Sequence, residues 1–203
     1  FFFVSSFSAR SRRTMGERRM YSMVQRLNTL STITISNLGF FTMILALSTF
    51  YFHSFVDMEP HVEVKLNAIR KFGRLGIQRY YGNEEAHVSL DLDADLRPLL
   101  HWNVKQLFVY VSASWHNKAH KLSEVMLWDF IIDSKEQAQF YFQGLNSKYP
   151  LVDKGKHLRD ANVTLSFHWN TMPHSGMMFF SKKGSQSVTF PAKYIDGHTP
   201  KLY

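Results

Sequence analysis

The pattern of the chain is dominated by one uncharged apolar block near its N-terminus. No Asp, Glu, Lys or Arg lies between Arg26 and Asp57, and the densest apolar part runs from Leu38 to Val56. At about 1.5 Å per residue, a helix over those 19 residues measures roughly 28 Å, close to the ~30 Å hydrocarbon core of a bilayer. With the preceding Ile33 to Asn37 included, the pattern predicts a membrane-spanning helix over residues 33–56.

Two other interpretations of the block stay open. A buried helix of a soluble protein is also apolar, but such helices are usually shorter and flanked by charges. A cleaved signal peptide would use the small residues Ala46 and Ser48 around its cleavage site, but the apolar run continues beyond Ser48 to Val56. The favoured interpretation is therefore an uncleaved signal-anchor.

Charge on the two sides of the block sets the predicted orientation. Six arginines and one glutamate precede the block, whereas three acidic residues follow it before the first lysine, Lys65. Since Lys and Arg are retained in the cytosol, we expect residues 1–32 to be a cytosolic tail and residues 57–203 to be translocated. Residues 1–19, rich in Ser and Arg, fit a mitochondrial transit peptide, but we favour a start at Met20 with the preceding residues extraneous.

Beyond the block, alternating and continuous apolar runs predict strands. Residues 85–96 alternate apolar and polar positions without a miss, and residues 162–169 do the same. The runs 107–111 and 125–132 are almost continuously apolar and rich in β-branched and aromatic residues, which is typical of strands near the middle of a sheet.

Two shorter segments, residues 177–180 and 187–190, complete the predicted strands, and Glu136 to Gly144 is the best helix candidate after the apolar block. Turn-forming Gly and Pro residues separate these elements. Many short strands with few helices predict a mainly β chain. Its predicted architecture is a single N-terminal transmembrane helix followed by an antiparallel β-sandwich-like domain with a short helix.

Composition narrows the classes of function. The chain has no cysteine, so an exported domain would depend on its core alone, and thiol chemistry and Cys-ligated metals are excluded. The formal net charge is +8, but six of the 24 Lys and Arg residues precede the block and the others are dispersed. Because there is no dense basic patch, no nucleic-acid partner is expected.

Two groups of residues partly match metal-binding motifs, but each lacks residues that its motif requires. Asp91, Asp93 and Asp95 begin like a calcium-binding loop, but the required glycine and closing glutamate are absent, so we interpret them as a solvated strand face. His116 and His120 have the spacing of a helical zinc pair, but no glutamate lies between them and they fall in a connection between strands. We therefore expect no metal site and no cofactor.

The search for a nucleophile is equally negative, whereas one modification signal is present. Ser175 to Met178 is similar to part of the nucleophile segment of type I signal peptidases, but the serine before the methionine and the proline of that segment are missing. No catalytic residue is therefore expected. Asn162, followed by Val163 and Thr164, forms the one N-x-S/T sequon of the chain, and it falls on the side that charge predicts to be translocated.

Several segments together resemble a known family. The segments are Trp102–Ala113, Val125–Asp129, Asn162–Asn170 and Pro173–Gly176. They resemble the signature of signal peptidase complex subunit 3, and their order and spacing match that family over essentially Met20 to Tyr203. The resemblance implies a type II membrane protein of the endoplasmic reticulum with a lumenal β domain, and a non-catalytic but required subunit of the complex that removes signal peptides. The implied partners are the catalytic serine subunit, two further small membrane subunits and the lipid of the membrane. The family's glycosylation site falls on Asn162.

Two alternatives to this function follow from the residues alone. One is a stand-alone type II membrane receptor or lectin-like ectodomain, which would purify as a single species. The other is a membrane-anchored hydrolase, which would need a nucleophile and base that the motifs do not supply.

Overall fold

A computed structural model of the chain describes residues 23–56, 58–74, 83–116 and 121–195. In these described residues, one α-helix, α1 (Met23–Phe55), precedes eight strands. The strands are β1 (His61–Arg74), β2 (Glu84–Asp95), β3 (Val104–Trp115), β4 (Ser123–Ile132), β5 (Gln139–Asn146), β6 (Leu151–Asp153), β7 (Asn162–Pro173) and β8 (Phe179–Thr189). The chain divides into two compact units, of which the first ends at Thr42 and the second begins at Met43.

Within the described residues, α1 is the one helix long and apolar enough to cross a membrane. It begins ten residues before Ile33, the first residue of the predicted span, and its most apolar stretch is not buried by the rest of the described chain. An α-helix satisfies its own backbone hydrogen bonds, which is what a segment in hydrocarbon requires. The single helix and the mainly β remainder confirm the predicted fold class.

The second unit holds two four-stranded antiparallel sheets. In the first sheet β2 lies between β1 and β5 and also pairs with β6, and in the second the order is β4-β3-β7-β8. The alternation predicted for β2 and β7 is confirmed, since their alternate apolar side chains are buried between the sheets. The sheets meet along β1 and β8, where the backbone N–H of Leu66 donates to the side-chain carbonyl of Gln186 over 2.6 Å.

The short helix predicted over Glu136–Gly144 is wrong. The chain turns at residues 134–138 and then forms β5, which pairs with β2. Phe140 and Phe142 occupy alternate positions of β5 and pack against Trp128, so their spacing suits a strand. Pairing with β2 and this aromatic packing override the local helix propensity of the preceding Glu-Gln-Ala sequence. Among the described residues, the one other helical turn is a short 3-10 segment, Arg97–Leu99.

The position predicted for β4 also needs correction. Its apolar run suggests the middle of a sheet, but β4 is an edge strand next to β3. The run is apolar because aromatic side chains of the other sheet cover it: Trp128 contacts Phe140 and Phe142. The backbone N–H of Tyr149 also donates to the carbonyl of Leu127, which partly closes this edge.

Some strands gave no clear signal in the sequence. β1 carries charged and apolar residues without strict alternation, and two shifts of register interrupt its pairing with β2. The two short segments predicted at 177–180 and 187–190 belong mostly to one strand, β8, which continues through Gly184 at a positive φ of 71°. Met177 and Met178 precede that strand in the loop after β7.

Candidate functional site

The last turns of α1 pack against the β domain through one face. Leu45, Thr49 and Phe52 follow the i, i+4, i+7 spacing of a helical face, and Thr49 is the one buried residue of α1. These residues and the β domain belong to the same compact unit. The end of the helix is therefore packed against the sheets as part of the domain and is not a free linker.

Asn103 forms the polar centre of this junction. It lies just before β3 and is 1% exposed. Its side-chain amide donates to the backbone carbonyls of Leu45 (3.1 Å) and Ser175 (2.9 Å) and to the hydroxyl oxygen of Thr49. An amide group carries two hydrogens, so three acceptors share them. One buried side chain thus joins α1, the start of β3 and the loop between β7 and β8.

The loop between β7 and β8 approaches the helix closely. Gly176 has a φ of 116°, and a Cβ atom placed on it would lie 3.2 Å from the Cα of Ala46. Both the conformation and the distance favour glycine here, because a side chain would be strained and would press on the helix backbone. The same loop is held from the other side, where the backbone N–H of His174 donates to the carbonyl of Asn103 over 2.8 Å.

Aromatic stacking extends the contact further along α1. Phe52 stacks on His101 with ring centroids 4.7 Å apart, and His53 stacks on Phe179 at 4.0 Å. A cavity of about 180 Å³ lies beside these rings. Its lining includes both apolar and hydrogen-bonding side chains: Thr49, His53, Val56, Met58, Leu99, His101, Trp169, Thr171, Phe179 and Ser181.

Burial in this junction changes the titration of His101. Desolvation lowers the pKa of His101 below its ordinary value of 6.5, because the surroundings disfavour the charged ring. The backbone N–H of Asn103 lies 3.4 Å from Nδ1 of His101, which accepts a hydrogen bond when the ring is neutral. Neutral His101 therefore fits both its stacking on Phe52 and its contact with Asn103.

Sequence reasoning did not single out Asn103 as a site residue. The residue lies inside the segment Trp102–Ala113 that carries the resemblance. Its burial, however, comes from contact with α1, where Thr49 lies 54 residues earlier in the chain. The available signal was a lone amide next to the apolar run of β3. An amide with no charged neighbours at a strand end fits either a turn or a buried contact, and only folding selects between them.

Asn162, the predicted modification site, is the first residue of β7 and is exposed. Thr164 shares the outward face of the strand with it, and Val163 between them is buried. The Thr164 hydroxyl lies 3.0 Å from that of Ser187 on β8. The sequon thus presents its asparagine to solvent at the opposite end of β7 from Pro173 and the loop that contacts α1.

The other candidate groups of the sequence are placed as follows. Asp91 accepts hydrogen bonds from the backbone N–H of Gly144 and from the Asn67 side chain, which lower the pKa of its carboxyl, and Asp95 pairs with Arg97. Within the described residues, no group of three His or acidic side chains is placed to hold a metal ion. His116 is exposed, and the His116–His120 pair cannot be placed because His120 lies outside the described residues. The carbonyl of Ser175 contributes to the contacts of Asn103.

Comparison with known proteins gives a consistent result. The family described as "Signal peptidase subunit" matches residues 20–193. A protein of Dictyostelium discoideum named "Signal peptidase complex subunit 3" is 36% identical over 176 residues, which cover 87% of this chain and 98% of that protein. Proteins of the same name from Gallus gallus and Homo sapiens are 32% and 30% identical, covering 91% and 86% of this chain and 100% and 97% of theirs.

Proposed function

Because the chain belongs to the family of signal peptidase complex subunit 3, we propose that it is a non-catalytic, required subunit of the signal peptidase complex of the endoplasmic reticulum. In this role it supports the catalytic subunit, which removes signal peptides from nascent secretory and membrane proteins. The observation that carries the proposal is the extent of the match. It runs from Met20 through α1 and both sheets, and so includes the helix and the domain together.

The junction supports a bracing role rather than a chemical one. Asn103 and Gly176 hold the loops of the domain against the last turns of α1, at Leu45 and Ala46. A domain held in this way can present a fixed surface to a neighbouring membrane protease. Its partners in this proposal are the catalytic peptidase subunit, the other small membrane subunits of the complex, and the membrane lipid.

The orientation in this proposal follows the charge pattern. Arginines precede α1 and acidic residues follow it, so the N-terminus is cytosolic and the β domain is lumenal in a single-pass type II arrangement. A lumenal domain meets the glycosylation machinery. The exposure of Asn162 on β7 supports its use as the glycosylation site.

The proposal is tested by depletion and rescue. Cells depleted of this chain should accumulate secretory precursors with uncleaved signal peptides while translocation continues, as followed by pulse-labelling of a secreted reporter. The full chain should restore cleavage. Residues 57–203 delivered to the lumen without the helix should restore it poorly, because a tether raises the local concentration of the domain near its partner to the order of millimolar. The full chain with Asn146→Ala, a change at an exposed position of β5, is the matched control.

Two results would contradict the proposal. One is normal precursor processing in depleted cells, and the other is full rescue by the untethered domain at ordinary expression. Purification of the tagged chain from mild detergent separates the proposal from a stand-alone receptor, since a subunit brings membrane partners in fixed ratio. A chain that purifies alone from a cell with an active complex would favour the receptor.

A further inference from the structure

The loops that grip α1 expose apolar side chains at the same end of the domain. Trp102 is 59% exposed, and Met177 and Met178 are 73% and 51% exposed. Trp102 precedes Asn103, whose amide donates to the helix, and Met177 follows Gly176, which lies against Ala46. Three exposed apolar side chains therefore lie at the edge of the domain that borders the helix at Leu45 and Ala46.

The helix contact also limits where the bilayer ends along α1. If hydrocarbon reached Val56, the loop at Ala46 would lie ten residues, or roughly 15 Å, below the surface, close to the middle of the bilayer. Irregular backbone exposed to lipid does not occur at that depth, because its polar groups have no water to bind. A bilayer surface near Ala46 removes this conflict.

The length of the uncharged segment agrees with that position. The segment from Leu27 to Ala46 has 20 residues, and it begins directly after Arg26, the last arginine before the apolar block. A helix of that length spans about 30 Å, the thickness of the hydrocarbon core. Arg26 then falls at the cytosolic interface, where a long cationic side chain can reach the headgroups.

We infer that the lumenal surface of the bilayer crosses α1 near Ala46, and that Trp102, Met177 and Met178 insert into it from the domain. The inference rests on the proposed membrane anchorage and goes beyond the expected span of residues 33–56, since it leaves the turns from Ser48 to Phe55 outside the hydrocarbon. Tryptophan suits the interface because its ring is apolar and its indole N–H reaches polar headgroups.

The absence of cysteine allows a direct test of the position on α1. Single cysteines replace exposed helix residues in the full chain, reconstituted in phosphatidylcholine vesicles with the domain outward: Phe41→Cys, Tyr51→Cys and Phe55→Cys. A membrane-impermeant maleimide added on the domain side should modify the cysteines at positions 51 and 55 on the order of tenfold faster than the one at 41. Equal protection of all three would overturn the inference.

The insertion of the loops is tested by depth-dependent quenching. A fluorophore on Met177→Cys is compared with one on Leu122→Cys, because Leu122 is also exposed but lies next to Ser123, at the opposite end of the sheet from Val104. Lipid carrying a nitroxide near the headgroup should quench the label at position 177 at least about threefold more than the label at 122. Equal quenching would overturn the inference.

The same measurement distinguishes lipid from a protein partner. In the purified complex in identical vesicles, quenching at position 177 should persist, and its loss there would assign this surface to another subunit and overturn the lipid assignment. The depth measurements need no peptidase activity, so they fail independently of the proposed function. A chain that alkaline carbonate extracts from the membrane would contradict the proposed anchorage itself, and with it the inference.

Discussion

The side-chain nitrogen of Asn103 lies 3.1 Å from the carbonyl oxygen of Leu45, so a buried amide just before β3 is bonded to the backbone of a helix that precedes it by 58 residues. The same nitrogen reaches Ser175 at 2.9 Å. A single side chain therefore joins three segments that are distant in sequence. Substitutions in this junction test the fold directly.

Replacement of that amide should weaken the junction. Asn103→Ala leaves three acceptors without their shared donor, at a cost of about 1–3 kcal/mol in the free energy of unfolding. Denaturant titration of the detergent-solubilised chain, followed by tryptophan fluorescence, measures the loss. Asn146→Ala, on an exposed residue of β5, is the matched control and should change little. Equal stability of the two variants would show that the Asn103 contacts contribute nothing net.

The close approach at Gly176 predicts a second loss of stability. Gly176→Ala adds a methyl group in a left-handed conformation and 3.2 Å from the Cα of Ala46. The conformational strain alone costs about 1–3 kcal/mol. Gly144→Ala supplies the control, because Gly144 also has a positive φ but would place its Cβ more than 4 Å from any neighbour. The melting temperature of Gly176→Ala should be lower than that of Gly144→Ala, and the reverse order would contradict the close packing of Gly176 against Ala46.

Burial should decide the effect of tryptophan replacement. Trp169 on β7 is 6% exposed within the core, whereas Trp102 is largely exposed. Trp169→Ala should cost about 3–5 kcal/mol, a large share of a typical stability of ~5–15 kcal/mol, and should deplete the chain in cells. Trp128→Ala removes a similarly buried ring from β4 and should act likewise. Quantitative immunoblotting measures abundance, and Trp102→Ala should keep the wild-type level.

Acid should destabilise the domain in part through His101. Since burial lowers its pKa below 6.5 in the folded state, the unfolded chain binds a proton more readily. The contribution of His101 to stability is therefore complete above pH 6.5. It falls as the pH drops below 6.5 and levels off beneath the lowered pKa. His101→Phe keeps a ring against Phe52 and should flatten the fall in unfolding free energy measured from about pH 7.5 to about pH 5.

The flattening should be incomplete, because a second histidine titrates in the same direction. Burial lowers the pKa of His168 as well, although the nearby Glu124 partly opposes the shift. A double variant with His168→Gln should be flatter than either single variant. An unchanged slope in His101→Phe would show that this ring does not contribute to the pH dependence.

Glycosylation should involve one site. Asn162→Gln should remove the mobility shift of a single glycan with little effect on stability, because the side chain is exposed at the start of β7. Gel mobility before and after endoglycosidase treatment measures the change. Asn146→Gln, which alters no sequon, is the control. A wild-type chain that shifts by two glycans or by none would contradict the assignment of Asn162.

Local patterns predicted the elements whose signal is contained in their own residues. The alternation over residues 85–96 reflects a strand with one face in the core, so β2 could be recognised without its partners. The segment from Glu136 to Gly144 could not, because its strand depends on pairing with β2 and on contacts of Phe140 and Phe142 with Trp128. The mixed pattern of β1 was missed for a related reason, since bulges shift which of its residues face the core.

The sequence by itself determined the uncharged helix, the asymmetry of charge around it, the β character of the remainder and the position of the sequon. Each of these depends on composition or on a short repeat, and needs no knowledge of distant residues. The tertiary structure alone decided that the last turns of α1 are part of the domain, that Asn103 is buried and that Gly176 meets Ala46. These features depend on contacts between residues 54 to 130 positions apart, and no local pattern encodes such contacts because each partner is equally compatible with solvent until the chain folds.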